Sequence, residues 1–161
     1  MGNSKKIILF MPSIEDGGVE KNFFNISNYL AKKLDKVVII TGKNYSRNRL
    51  KKNIKIIFFK IKFNPSRRIK YILSIILLIK ELLTSKEKTI VLSFQANVYC
   101  IIICKIFGST IITRSNASIH GWSKNFRLNL YKFFYSFADC LIVNSKALKK
   151  EFIDILKLKS N

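Results

Sequence analysis

The chain predicts a doubly wound α/β fold, a parallel sheet flanked by helices, and three observations predict it. Short apolar runs rich in Ile and Val alternate with longer amphipathic stretches along all 161 residues. Most of the short runs are continuously apolar, as strands buried on both faces of a parallel sheet are. Glycine or polar clusters mark the junctions. Such alternation gives right-handed crossovers, and ligands of these sheets bind beyond the carboxyl ends of the strands. The length suits one domain with its own core.

The elements follow in order. A first strand over 7–11 runs into the loop Pro12-Ser13-Ile14-Glu15-Asp16-Gly17-Gly18 and an amphipathic helix over 19–33. Residues 37–41 form the second strand, followed by Gly42 and a polar, basic loop over 43–53. A third strand covers 54–61, and Ser66 caps a helix over 68–84. The fourth strand, 90–93, leads through Ser93-Phe94-Gln95-Ala96-Asn97 into a helix over 98–107, stopped by Gly108. The fifth strand, 110–113, precedes Thr113-Arg114-Ser115-Asn116 and a helix over 124–137. The last strand, 140–144, ends at Ser145, which caps a helix over 146–157. No internal repeat and no Pro/Gly/Ser linker divides the chain, so 1–161 reads as a single domain.

The formal net charge is +21, from 30 Lys and Arg against 9 Asp and Glu. Such a balance favours anionic partners: nucleic acid, anionic lipid or phosphate-bearing substrates. Part of it is compositional, since abundant Lys, Ile, Asn and Phe with scarce Arg is the bias of AT-rich coding. The three cysteines, Cys100, Cys104 and Cys140, lie in apolar surroundings without metal-ligand spacing. They read as buried small hydrophobes of a reduced, cytosolic protein, and no metal is expected. No signal peptide is evident in the polar start, Met1-Gly2-Asn3-Ser4-Lys5-Lys6. The longest largely apolar run, 71–79, is too short to span a bilayer. Core packing accounts for most of 72–79, while Arg67, Arg68 and Lys70 suit lipid headgroups on an anionic inner-membrane surface.

The residues able to carry chemistry fall beyond the strands. Gly17 and Gly18 allow close approach to backbone N–H groups at a helix N-terminus, a setting for phosphate; a tight turn is the plainer use. Glu20 sits in the first helical turn, where a carboxylate also suits the dipole. Gln95 and Asn97 have the groups to hydrogen-bond a ligand's hydroxyls, and Asn97 equally suits a helix cap. Arg114 carries a guanidinium that forks onto phosphate oxygens. Asn116 follows two residues later, and Ser145 is a cap and a candidate ligand contact. His120 is the one histidine, with Trp122 beside it. Asp139 reads as structural.

A dinucleotide-binding domain fits poorly. Only Gly17-Gly18 stands where G-x-G-x-x-G is needed, and no acidic residue ends the second strand. A P-loop is absent.

The segment Pro12-Ser13-Ile14-Glu15-Asp16-Gly17-Gly18-Val19-Glu20-Lys21-Asn22, the helix end Asn28-Tyr29-Leu30-Ala31-Lys32-Lys33-Leu34 and the strand Val37-Val38-Ile39-Ile40-Thr41 together resemble the N-terminal half of GT-B glycosyltransferases. The retaining family 4 enzymes of bacterial surface polysaccharide synthesis are the nearest likeness. The resemblance implies a Rossmann-like, acceptor-binding N-terminal lobe. Transfer of a sugar with retention would run from a nucleotide-sugar donor to a glycan or polyprenyl-linked acceptor, without a metal or other cofactor. It places Gly17, Gly18 and Glu20 in the family's first loop, Ser93–Asn97 at the acceptor cleft, and Arg114 and Asn116 in a recurrent Arg-x-Asn segment. His120 stands near where some members bring a histidine to the reacting sugar. The family's Glu-x7-Glu motif belongs to the C-terminal, donor-binding lobe and is missing here. The isolated chain is therefore expected to bind acceptor at best, to bind donor weakly and to be inactive. Its expected setting is cytoplasmic, peripheral on the inner face of the plasma membrane.

Two other classes remain open. A non-catalytic remnant or basic membrane or nucleic-acid module predicts basic residues on one face with exposed aromatics; here the aromatics mostly sit in apolar stretches, and no nucleic acid is expected. A different cleft enzyme on the same scaffold needs a complete cofactor loop.

Overall fold

The computed structural model describes residues 6–14, 17–42, 47–60, 65–119 and 125–157, with the side chains of 125–127 excepted. Among them, six parallel strands form one sheet. They are β1 (Lys6–Phe10), β2 (Lys36–Ile40), β3 (Lys55–Ile57), β4 (Thr89–Ser93), β5 (Thr110–Ser115) and β6 (Cys140–Val143), in spatial order β3-β2-β1-β4-β5-β6. The helices are α1 (Gly18–Lys33), α2 (Arg67–Thr84), α3 (Asn97–Ile106), α4 (Asn125–Tyr135) and α5 (Lys146–Leu156). The doubly wound reading holds. Strand order reverses between β1 and β4, which pair in register from Lys6↔Thr89 to Phe10↔Ser93. That reversal is the switch point where such sheets bind ligands.

Most elements fall within a residue or two of the sequence reading. β3 differs, with three residues in place of 54–61, and residue 61 lies outside the described residues. β5 runs two residues further than expected, so Arg114 and Ser115 belong to the strand. Inside the basic loop, Arg47–Arg49 form a short 3-10 turn. The Arg47 guanidinium closes it by donating to the carbonyls of Ile54 (2.7 Å) and Lys52 (2.8 Å).

Two cores lie on the two faces. Beneath α1, Phe23, Phe24 and Ala31 meet Leu9, Ile39 and Leu92. Phe23 meets Phe94 edge-on at 5.0 Å. The buried face of α1 includes Phe23, Ser27 and Ala31, four residues apart as a helix requires. Ser27 sits there at no polar cost because its hydroxyl donates to the Phe23 carbonyl (2.7 Å). On the opposite face, Leu78, Cys100, Ile101, Tyr135 and Phe152 from the other helices cover Ile8, Phe10, Val91 and Ile111.

Three expectations are corrected. Cys100 and Cys104 are buried, and burial pushes the Cys104 thiol up to about 12, so both act as inert apolar groups. Cys140 is exposed instead. It lies on edge strand β6, on the face of Ile112 that α1 serves and does not extend to cover. Second, α2 buries Lys70, Ser74, Leu78 and Leu82, a stripe at intervals of four. Ile72 and Ile76 are therefore 59% and 48% exposed rather than in the core. An all-round apolar helix does not declare its inner face; packing decides it. Third, Lys70 is 8% exposed, so only Arg67 and Arg68 of the three proposed headgroup residues stand on the surface.

Asp139 is structural, as expected. Its carboxylate accepts from Lys105 Nζ and from the Ile111 N–H, both at 2.7 Å, tying the end of α3 to β5. Burial alone would raise its pKa, but the Lys105 ammonium and the Ile111 N–H outweigh this and hold it below the ordinary carboxylate value. A carboxyl depressed on folding stabilises above its unfolded pKa and loses that contribution as pH falls through the folded one. Asp139→Asn is expected to lower Tm at pH 7 by a degree or two, on the order of a partly exposed pair's worth. The gap to wild type narrows below about pH 4; a gap that widens on acidification sinks the assignment.

Candidate functional site

The chemistry-bearing residues lie beyond the carboxyl ends of β1, β4, β5 and β6. Backbone bonds first lace the loops together. Met11 N–H donates to the Ile40 carbonyl (3.0 Å), Phe94 N–H to that of Phe10 (3.0 Å) and Gly42 N–H to that of Pro12 (2.9 Å). A Cβ at Gly42 would lie 2.6 Å from Lys70 Cβ and 2.7 Å from the Pro12 oxygen, so the first turn of α2 seats directly on this loop. Gly42 is a site-building residue that sequence reasoning recorded only as a strand end.

Gln95 crosses the switch point. Its Oε1 accepts from the Ser13 N–H (2.9 Å) and its Nε2 donates to the Ser13 carbonyl (2.8 Å). The side-chain amide thus imitates one rung of a ladder, and its polar atoms hold the loop rather than face outward. Asn97 is equally engaged. Its Oδ1 accepts from Ser93 Oγ (2.8 Å), and its Nδ2 donates to the Arg114 carbonyl and the Tyr135 hydroxyl (both 3.1 Å). It opens α3 as a helical residue, and the N-cap is Ala96. Of the two readings left open for Asn97, neither the cap nor an outward amide describes this geometry. Burial raises the Tyr135 hydroxyl to about 12, so it stays protonated within this network.

Between the two amides Ala96 adopts a left-handed conformation (φ 55°, ψ 36°). For a residue with a Cβ this costs on the order of 1 kcal/mol. The turn sends Gln95 and Asn97 to separate partners.

Gly17 and Gly18 are exposed, and Gly17 is the N-cap of α1 with no side-chain cap bond. Glu20 is buried and folds back, its Oε2 2.8 Å from where a Gly17 Cβ would stand. Ser145 caps α5 by accepting from the Leu148 N–H (3.1 Å). Asn116 is half-buried just past β5. Glu151 of α5 accepts from Ser118 Oγ (2.6 Å) and the Ile119 N–H, fastening the loop after β5. His120 and Trp122 lie outside the described residues.

Arg114 is the distinctive charge. It is 7% exposed, with its guanidinium carbon 5.4 Å from the Phe94 ring centroid. Its Nη1 is buried without a hydrogen-bond partner among the described residues. Burial pulls its pKa below the ordinary value.

A depression of about 450 Å³ lies at the opposite end of the sheet. Several of its charges are paired among themselves, Lys6 with Glu81 (2.6 Å) and Lys36 with Glu87. Among the described residues, no group of three or more His, Cys, Asp or Glu is placed to hold a metal, and no helix is long and apolar enough to cross a membrane.

The strand order and the loops above it define a Rossmann-like, doubly wound lobe with its loops at the switch point. The sequence model of Glycosyltransferase Family 4 matches residues 16–161, and the chain belongs to that family. No curated protein matches it in sequence. Among solved structures it is similar to Anabaena HepE (Alr3699) in complex with UDP, with TM-score 0.66 and 15% identity. That likeness covers 93% of this chain and 40% of HepE. It is also similar to a ugt transferase from Siraitia grosvenorii in complex with UDP, with TM-score 0.50 and 11% identity over 80% of this chain and 31% of that one. The chain thus spans less than half the length of either.

Proposed function

We propose that the chain is the acceptor-binding, N-terminal lobe of a glycosyltransferase. With a donor-binding lobe it transfers a sugar, with retention, from a nucleotide-sugar to a glycan or polyprenyl-linked acceptor in cell-surface polysaccharide or lipopolysaccharide synthesis. The family match over residues 16–161 carries this reading, and the UDP in both similar structures supports a nucleotide-sugar donor. Gly17, Gly18 and Asn116 line the acceptor side, and Gln95 and Asn97 hold its loops in place. Positive groups rather than a metal meet the leaving diphosphate. The lobe works at the cytoplasmic face of the membrane. There the exposed Ile69, Ile72, Ile76 and Leu83 of α2, next to exposed Arg67 and Arg68, suit a peripheral contact with anionic lipid.

The test is cosedimentation of the chain with phosphatidylglycerol vesicles carrying a polyprenyl diphosphate glycan, with radiolabelled UDP-sugars added. Binding to the vesicles without sugar transfer is expected. Sugar transfer by the chain alone overturns the lobe assignment, and no binding overturns the acceptor reading.

A further inference from the structure

We propose that Arg114 is a phosphoryl receptor: its guanidinium forks onto two oxygens of a phosphoryl group bound at the carboxyl end of β5, beside the Phe94 ring. Only the identity of the phosphorylated substrate rests on the transferase reading; the buried charge stands apart from it.

A buried guanidinium N–H without a partner is destabilising, and a cation–π contact compensates only in part. Phe94 therefore offsets part of the cost and leaves the rest. Glu81, Glu87 and Asp139 lie at the amino end of the sheet, away from Arg114, and pair there with Lys6, Lys36 and Lys105. On the carboxyl side, Glu151 is held by Ser118 and Ile119. No ion pair to Arg114 forms among the described residues. A fork of N–H donors held rigid by an aromatic face matches a pair of phosphate oxygens better than it matches one hydroxyl. The position is also right, one strand from the switch point. Asn97 fixes the backbone of the same residue through the Arg114 carbonyl, so the guanidinium is aimed from an anchored base. The phosphoryl group belongs to a nucleotide diphosphate or to a prenyl diphosphate.

Calorimetric titration of the chain with inorganic pyrophosphate, UDP and farnesyl diphosphate tests this, with Arg114→Met and Arg114→Lys beside wild type. Pyrophosphate is expected to bind wild type and to lose at least tenfold in Arg114→Met. The same variant is expected to keep or raise its Tm, because an apolar chain of similar length replaces a partnerless charge. Arg114→Lys keeps the charge but not the fork, and intermediate binding is expected. Whichever of UDP and farnesyl diphosphate shows the Arg114-dependent loss identifies the source. The proposal is overturned if wild type does not bind pyrophosphate, or if the methionine variant binds it equally. If the methionine variant is too unstable to titrate, Arg114→Lys binding as tightly as wild type overturns it. A chain that binds pyrophosphate through Arg114 but ignores both UDP and lipid acceptor would fail as a transferase lobe and still carry the receptor.

Discussion

Gln95→Ala is expected to destabilise the chain by about 2 kcal/mol, from the cost of withdrawing the partners of two buried backbone groups. Ser13 is 1% exposed, and the Gln95 amide meets its N–H and its carbonyl together. For a chain of this length that corresponds to a Tm lower by roughly 4–8 °C. Gln95→Glu keeps the acceptor toward the Ser13 N–H and loses the donor toward the carbonyl, so an intermediate loss follows. Urea melts measure both, and a midpoint unchanged in Gln95→Ala would refute the clamp.

Gly42→Ala acts on the same loop from the other side, and about 1–3 kcal/mol of destabilisation is expected from overpacking. The added methyl would meet Lys70 Cβ at 2.6 Å and the Pro12 carbonyl at 2.7 Å. Neither is the free end of a flexible chain, so α2 or the loop has to shift. Gly18→Ala is the control, because a Cβ there meets nothing within 4 Å. It is expected to be neutral or slightly stabilising. Equal melting of the two variants would show that Gly42 is not a close-approach position. Since Gly42 and Gln95 both hold residues 12–13, the double variant should lose less than the sum.

Much of this architecture was legible locally. Val37–Ile40 and Ile90–Leu92 read as strands because a parallel strand covered on both faces must be apolar at every position. Ser66 and Ser145 read as caps because a serine before an apolar periodic run has a recurrent role, and both accept from the N–H three residues on. The switch point needed the whole sheet. What joins it is long in sequence: Gln95 reaches Ser13 across 82 positions and Asn97 reaches Tyr135 across 38. An amide beyond a strand looks the same whether it faces a ligand or a neighbouring loop. Likewise nothing in Arg67–Thr84 tells which apolar residues turn inward, because both sides of the helix carry Ile and Leu. The site glycine at 42 was hidden for a related reason. Its need arises from where α2 lands, and that landing is set by tertiary packing.

The tie from Glu151 to Ser118 and Ile119 has a consequence for the order of assembly. The partners are 33 and 32 residues apart, with Glu151 on the last helix. During synthesis, chains gain structure from the N-terminus onward. The clamp between Ser13 and Gln95 is complete once β4 and its loop have left the ribosome, whereas the loop beyond β5 waits for α5. The carboxyl edge of the sheet is therefore assembled in two stages, and its second half is ready only once α5 has emerged.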